Sequence, residues 1–214
     1  MCIRDRPNCP DLPTGFGGLL LASLLPWQRR RIAPQLRTVL LQQISRFRQL
    51  TGLQHIRLDG HQHIHLVPLV LDAVLDLAHS ESITWVRTTR EALPEGLSLR
   101  LWWRSLETGG LLKWLVLQLL SGLAIPRLRH SGIQTNRSFA GVLFSGSMFD
   151  TAFRRSWETA YSSITVERAS QPVVLIHPAL PDAASGMNRE AFQQSVAFFN
   201  STNRQKELAS AQQL

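Results

Sequence analysis

The sequence predicts an α/β fold built on a barrel-like parallel sheet, and three observations lead to it. Leu36, Val39, Leu40, Ile44, Phe47 and Leu50 make a helical stripe that Thr51-Gly52 brings to a stop. From Gln54 to Asp59 the period changes to two, with Ile56 and Leu58 alternating with Arg57 and Asp59 as in a strand. A helix over 68–79 then leads to a strand over 83–87, and strand-helix-strand in that order is a βαβ unit with parallel pairing.

The remaining elements follow the same logic. Pro68 suits the first turn of its helix, and Val67, Val70, Leu71, Val74, Leu75 and Ala78 recur on one packed face. The stretch 100–123 holds Leu101, Trp102 and Trp103, then an apolar run from Leu111 to Leu120 broken by Lys113 and Gln118. That run falls short of the roughly 20 residues a bilayer span requires. A buried helix is the first reading, and an amphipathic contact with an acyl chain or membrane surface the second. Strands are expected near 139–144 and 172–177, helices near 148–160 and 188–199, with no internal repeat or low-complexity tract.

Chemistry concentrates between the first strand and its helix. The run Leu58-Asp59-Gly60-His61-Gln62-His63-Ile64-His65-Leu66-Val67-Pro68 carries three of the seven histidines. If the chain stays extended, Asp59, His61, His63 and His65 share one face. Neutral imidazole and carboxylate are donors that Zn, Mn or Fe accept, and a neighbouring Asp can fix a ring's tautomer. Taken singly, each histidine is better explained as an exposed turn or a satisfied core donor. Four such groups at the carboxyl end of a strand, where α/β folds place functional groups, favour a site.

Ile56 to Pro68 resembles the motif His-Leu-Asp-Ser-His-Gln-His-Val-His-Leu-(Leu/Phe)-Pro of the YdjC/ChbG-like carbohydrate deacetylases, with Arg57 for His and Gly60 for Ser. Trp85-Val86-Arg87 and Arg90-Glu91 resemble the family's Val-Arg-x-Pro-Arg-Glu segment, with Thr89 in place of Pro. Phe139-Ala140-Gly141 with Phe144-Ser145-Gly146 resembles its Phe-x-Gly-x-x-x-Ser-Gly stretch, and Val174 to Ala179 its late strand ending in His-Pro. The resemblance implies a (β/α) barrel-like sheet as in polysaccharide deacetylases, and hydrolysis of N-acetyl groups on amino sugars with a divalent ion, Mg or Zn. It implies His61 as metal ligand. His63 and His65 match the motif and are expected in packing or supporting roles, with Asp59 holding His61. His177 is the candidate general acid, because imidazole titrates near neutrality. Its alternative is a strand-terminal His bonded to backbone before Pro178. Arg87 is expected to orient a carboxylate, or else to form an ordinary surface ion pair.

The family's opening Asp-Asp-Phe-Gly, with its catalytic base, and its Gly-x-His metal ligand have no counterpart here. Residues 1–14, from Met1 through Cys9-Pro10 to Thr14, show neither a strand pattern nor a signal peptide's apolar core and read as a leader outside the family. Residues 15–214 then read as a partial deacetylase domain. An N-terminally truncated, inactive fragment is the corresponding expectation.

A chain of 214 residues with 44% hydrophobic content can bury one substantial core. The formal charge of +8 comes almost wholly from arginine, since Lys113 and Lys206 are the only lysines. These arginines are dispersed and no nucleic-acid motif accompanies them, so solvated faces rank ahead of an anionic partner, and nucleic acid is not expected. The acetylated amino sugar is the expected partner, a homodimer is compatible, and membrane contact through 100–130 is the lesser alternative. A cytoplasmic location is expected. Two other function classes remain open, a non-catalytic sugar-binding relic and a basic protein at a membrane surface.

Overall fold

The structure is a computed structural model of the 214-residue chain, and it describes residues 15–162, 171–180 and 201–213. Its contacts divide it into two compact units. One comprises the chain through Thr89 together with Leu117–Asn136, and the other Arg90–Val116 with the chain from Arg137 onward.

In the first unit, α1 (Phe16–Leu24), α2 (Pro26–Thr51) and α3 (Pro68–Leu77) pack together beside a short parallel pair, β1 (Ile56–Leu58) and β2 (Ile83–Val86). The stripe read from the sequence explains α2: Leu36, Val39, Leu40 and Ile44 are buried, whereas Phe47 and Leu50 near its end are exposed. Gly52 ends α2 at φ +72°, a left-handed position that glycine adopts without Cβ strain. Pro68 opens α3, whose Leu69, Val70, Leu71, Ala73, Val74 and Leu77 are buried. Removing that much apolar surface from water at roughly 25 cal/mol per Å² is the main force holding the helices on the sheet. The βαβ expectation holds, with Ile56 opposite Ile83 and Leu58 opposite Val86 in parallel register. Gln134 extends the pairing past β2 through bonds to Val86 N–H (2.9 Å) and Thr84 C=O (3.0 Å).

The second unit contains α4 (Leu99–Glu107), β3 (Phe139–Ala140), α6 (Asp150–Ser162), β4 (Val173–Val174) and α7 (Thr202–Ala211). The start of the long α5 (Gly110–His130) also belongs to it. β3 and β4 pair in parallel over a cluster of Leu143, Phe144, Met148, Ala152 and Phe153. The strands expected over 139–144 and 172–177 are therefore only two residues long. Beyond Ala140 the backbone N–H groups turn away from strand pairing to a buried carboxylate, described below. The helix expected over 188–199 lies outside the described residues. The chain is thus a mixed α/β protein with short parallel strands.

The reading of 100–123 as buried needs correction. Leu117, Leu120, Ala124 and Leu128 of α5 are buried, but Leu112, Leu115, Leu119 and Leu123 point outward and are half-exposed or more. Apolar character all round the helix does not distinguish a core-facing side from one facing solvent or a partner.

Candidate functional site

The sequence places the histidine run in an extended segment, and the structure does not. β1 stops at Leu58, and residues His61–Leu66 turn through a short 3-10 segment that departs from helical geometry at Gln62 (φ 52°) and His63 (φ 61°). Two consecutive left-handed residues, neither a glycine, cost on the order of 1–2 kcal/mol each. Burial of the side chains that follow offsets that cost. His63, Ile64, His65 and Leu66 are all buried, while His61 remains exposed at the edge. A single shared face for Asp59, His61, His63 and His65 is therefore replaced by a turn that sorts them by depth.

His65 has no accessible surface. Its Nδ1 accepts the Gly60 N–H at 2.9 Å, so the ring proton sits on Nε2, which donates to the Arg87 carbonyl at 2.7 Å. Both ring nitrogens are used in tying the loop after β1 to the end of β2. Burial, followed by the Arg87 charge, lowers its pKa from the usual 6.5 to about 4. His65 is a neutral structural cross-link with no nitrogen left for a metal.

Arg87 is 4% exposed, which rules out the surface ion pair that was its alternative. Its Nη2 meets Asp59 Oδ1 at 2.6 Å and His63 Nδ1 at 3.1 Å. Guanidinium only donates, so His63 Nδ1 is an acceptor and carries no proton. Burial pushes the Arg87 pKa down, and Asp59 pulls it back up. Asp59 thus forms an ion pair with Arg87. The Asp59 side chain is 54% exposed, whereas its Arg87 partner is buried.

Two partners behind Arg87 escaped the sequence reading. Asn136 accepts the Thr88 N–H (2.7 Å) and donates to the Thr88 carbonyl (3.0 Å), while Ser121 accepts the Thr89 N–H (3.0 Å). These bonds fix the backbone after β2 where strand pairing has ended. A lone Asn before Arg137 carries no periodic signal that could reveal this.

Gly60 departs from the motif the run resembles, and the reason is visible. A Cβ on it would lie 2.7 Å from His65 Nδ1 and 3.1 Å from His65 N. Gly60→Ser is expected to displace the His65 ring and lower stability by about 1–3 kcal/mol, the range for overpacking a close contact. Thermal unfolding measures it, and an unchanged midpoint would show that the loop yields freely.

In the second unit, His177 lies three residues past β4. Its backbone N–H donates to Glu207 Oε2 at 2.5 Å and its carbonyl accepts from Arg204 Nε at 3.1 Å. Glu207 also accepts the Met148 N–H at 3.0 Å, and burial raises its pKa. More unusual is Glu91, 2% exposed, whose carboxylate accepts the backbone N–H groups of Gly141 (2.9 Å), Val142 (2.9 Å) and Leu143 (3.2 Å). Burial pushes its pKa from the usual 4.5 up to about 7, opposed by those three bonds and by Lys113. Glu91 thereby shapes the Phe139–Gly146 motif from inside, a role its place in the Arg90-Glu91 pair does not reveal.

The family model for YdjC-like proteins matches residues 4–213. The chain belongs to that family. A mouse carbohydrate deacetylase is 36% identical over 58 residues, which is 27% of this YdjC-like chain and 19% of the relative. The match thus spans about a fifth of the length of that curated protein. No solved structure matches.

The resemblance read from the sequence implies a divalent ion at the histidine run. Three of the motif's groups are already engaged within the protein. His65 has both nitrogens bonded, His63 Nδ1 faces a cation, and Asp59 is paired with that same cation. Among the described residues no group of three or more His, Cys, Asp or Glu side chains could hold one.

Proposed function

We propose that this chain handles N-acetylated amino sugars at the mouth formed by His61, Asp59 and Arg87, and that it binds such sugars without measurable turnover. The observation that carries this reading is the buried Arg87 guanidinium. Asp59 and His63 hold it at a strand end, and Asp59, its carboxylate partner, is itself half-exposed. A fixed cluster of donors and acceptors suits the hydroxyl and amide groups of a sugar, since a site built to hydrogen-bond rejects ligands lacking those groups. We read the parallel β1–β2 pair as part of a barrel-like sheet, which places such groups at strand ends.

Deacetylation adds water to the amide carbon, breaks its bond to nitrogen, and leaves acetate and the free amine. Such chemistry needs an activated water and a proton for the amine. The family's Asp-Asp-Phe-Gly base has no counterpart in the residues quoted above, and binding without turnover is the outcome expected on that account.

The test is calorimetric titration with N-acetylated chitooligosaccharide, paired with an acetate assay in added Mg or Zn. The sugar is expected to bind and no acetate to appear. His61→Ala, at an exposed position, should leave the melting temperature unchanged and weaken binding by about tenfold, the loss of one good hydrogen bond. Absence of binding overturns the sugar reading, whereas acetate release by the unmodified chain overturns its inactivity.

A further inference from the structure

The outward side of α5 has no role in the site above. Leu112, Leu115, Leu119 and Leu123 are 68%, 50%, 63% and 65% exposed, and their spacing of three, four and four residues puts them in one line along the helix. The opposite side, with Leu117, Leu120, Ser121, Ala124 and Leu128, is buried. The 21-residue helix is apolar enough to cross a bilayer by composition, yet a third of its most apolar window is buried in the protein. A helix already packed along one side is placed to lie on a membrane, not to pass through it. In α4, Leu99, Trp103 and Leu106, four and three residues apart, are also exposed, and an exposed Trp at 64% is costly in water but well matched to the lipid headgroup boundary.

Charge identifies the occupant. No Asp or Glu occurs between Glu107 and Asp150, whereas Lys113, Arg127, Arg129 and Arg137 fall in that stretch and the whole chain carries +8. Arg127 already pairs with Asp72 at 2.6 Å. Lys113 donates to Ser145 Oγ at 3.3 Å, whereas Arg129, exposed beside the leucine line, can lay its stem along an apolar surface and keep its charge at a headgroup. Leucines bounded by cations without carboxylates complement an anionic lipid surface. We propose that the exposed side of α5 docks on an anionic phospholipid membrane.

Flotation of the full chain with vesicles tests this. Wild type is expected to float with phosphatidylcholine vesicles containing phosphatidylglycerol, to float much less with phosphatidylcholine alone, and to be released as salt rises from about 50 mM to about 500 mM, where surface charge is screened. Quenching of tryptophan fluorescence by brominated lipid in the same vesicles is expected for the wild type. Leu115→Glu with Leu119→Glu should weaken the association at least tenfold with the helical circular dichroism retained. If that variant does not fold, the wild-type salt, lipid and quenching measurements decide. Absence of wild-type binding to anionic vesicles overturns the proposal, as does equal binding by the folded double variant. So does light scattering that shows a dimer which the variant splits while leaving vesicle binding unchanged, since a second copy would then cover this side.

Discussion

Glu91→Ala is expected to unfold the second unit at temperatures where the wild type is stable, with a loss of about 3–5 kcal/mol. The substitution leaves the N–H groups of Gly141, Val142 and Leu143 buried without acceptors, and each such group costs about 1–3 kcal/mol. Glu91→Gln should cost less, because its amide oxygen can still serve Val142 and Leu143 while its NH₂ opposes the Gly141 N–H. The pH dependence has a definite sign. A carboxyl raised from 4.5 to about 7 binds a proton in the folded state that the unfolded chain has released. Stability from this group is therefore full below pH 4.5 and is lost as pH rises through 7. At about 1.4 kcal/mol per pKa unit, that amounts to a few kcal/mol. Glu207, also raised by burial, acts in the same direction. Hydrogen exchange of residues 139–148 should quicken between pH 5 and pH 8 in the wild type, and Glu91→Gln should flatten that change. A profile identical in both proteins would remove Glu91 as its source.

His65→Ala is expected to produce the largest loss in the first unit, about 3–4 kcal/mol. It empties the space of a fully buried ring and strips the Gly60 N–H and Arg87 carbonyl of their partners. The sign of its titration is opposite to that of Glu91. His65 is held neutral with its pKa at about 4, so the unfolded state takes up a proton first as pH falls below 6.5. Its stabilisation is complete above pH 6.5 and disappears towards pH 4. Acidification should thus open the segment 56–66 while easing the strain on Glu91. Exchange measured unit by unit at pH 4.5 and pH 8 would show opposed responses. Protection of 56–66 that is unchanged at pH 4.5 would contradict the cross-link. Sugar binding should fall with it, because the same bond holds the backbone of Arg87.

The helices that rest on periodicity and stop signals are legible in the order of the residues. The α2 stripe with its Gly52 stop, Pro68 at the start of α3 and the parallel βαβ pair were all legible there, because apolar spacing and backbone rules act over a few residues. The motif over Ile56 to Pro68 likewise identified the family without coordinates. Tertiary structure alone decided the depth of each histidine. Period two placed His61, His63 and His65 alike, but the left-handed turn at Gln62 and His63 buried two and left one exposed. Local propensity opposes such a turn, and only the bonds of His65 and Arg87 across to the neighbouring strand can hold it. The same holds for Glu91, whose partners lie 50 residues or more away, and for α5, whose two apolar sides are equivalent in sequence. Long-range partners and the choice of which face to cover are properties of the folded chain, since both depend on what packing brings together.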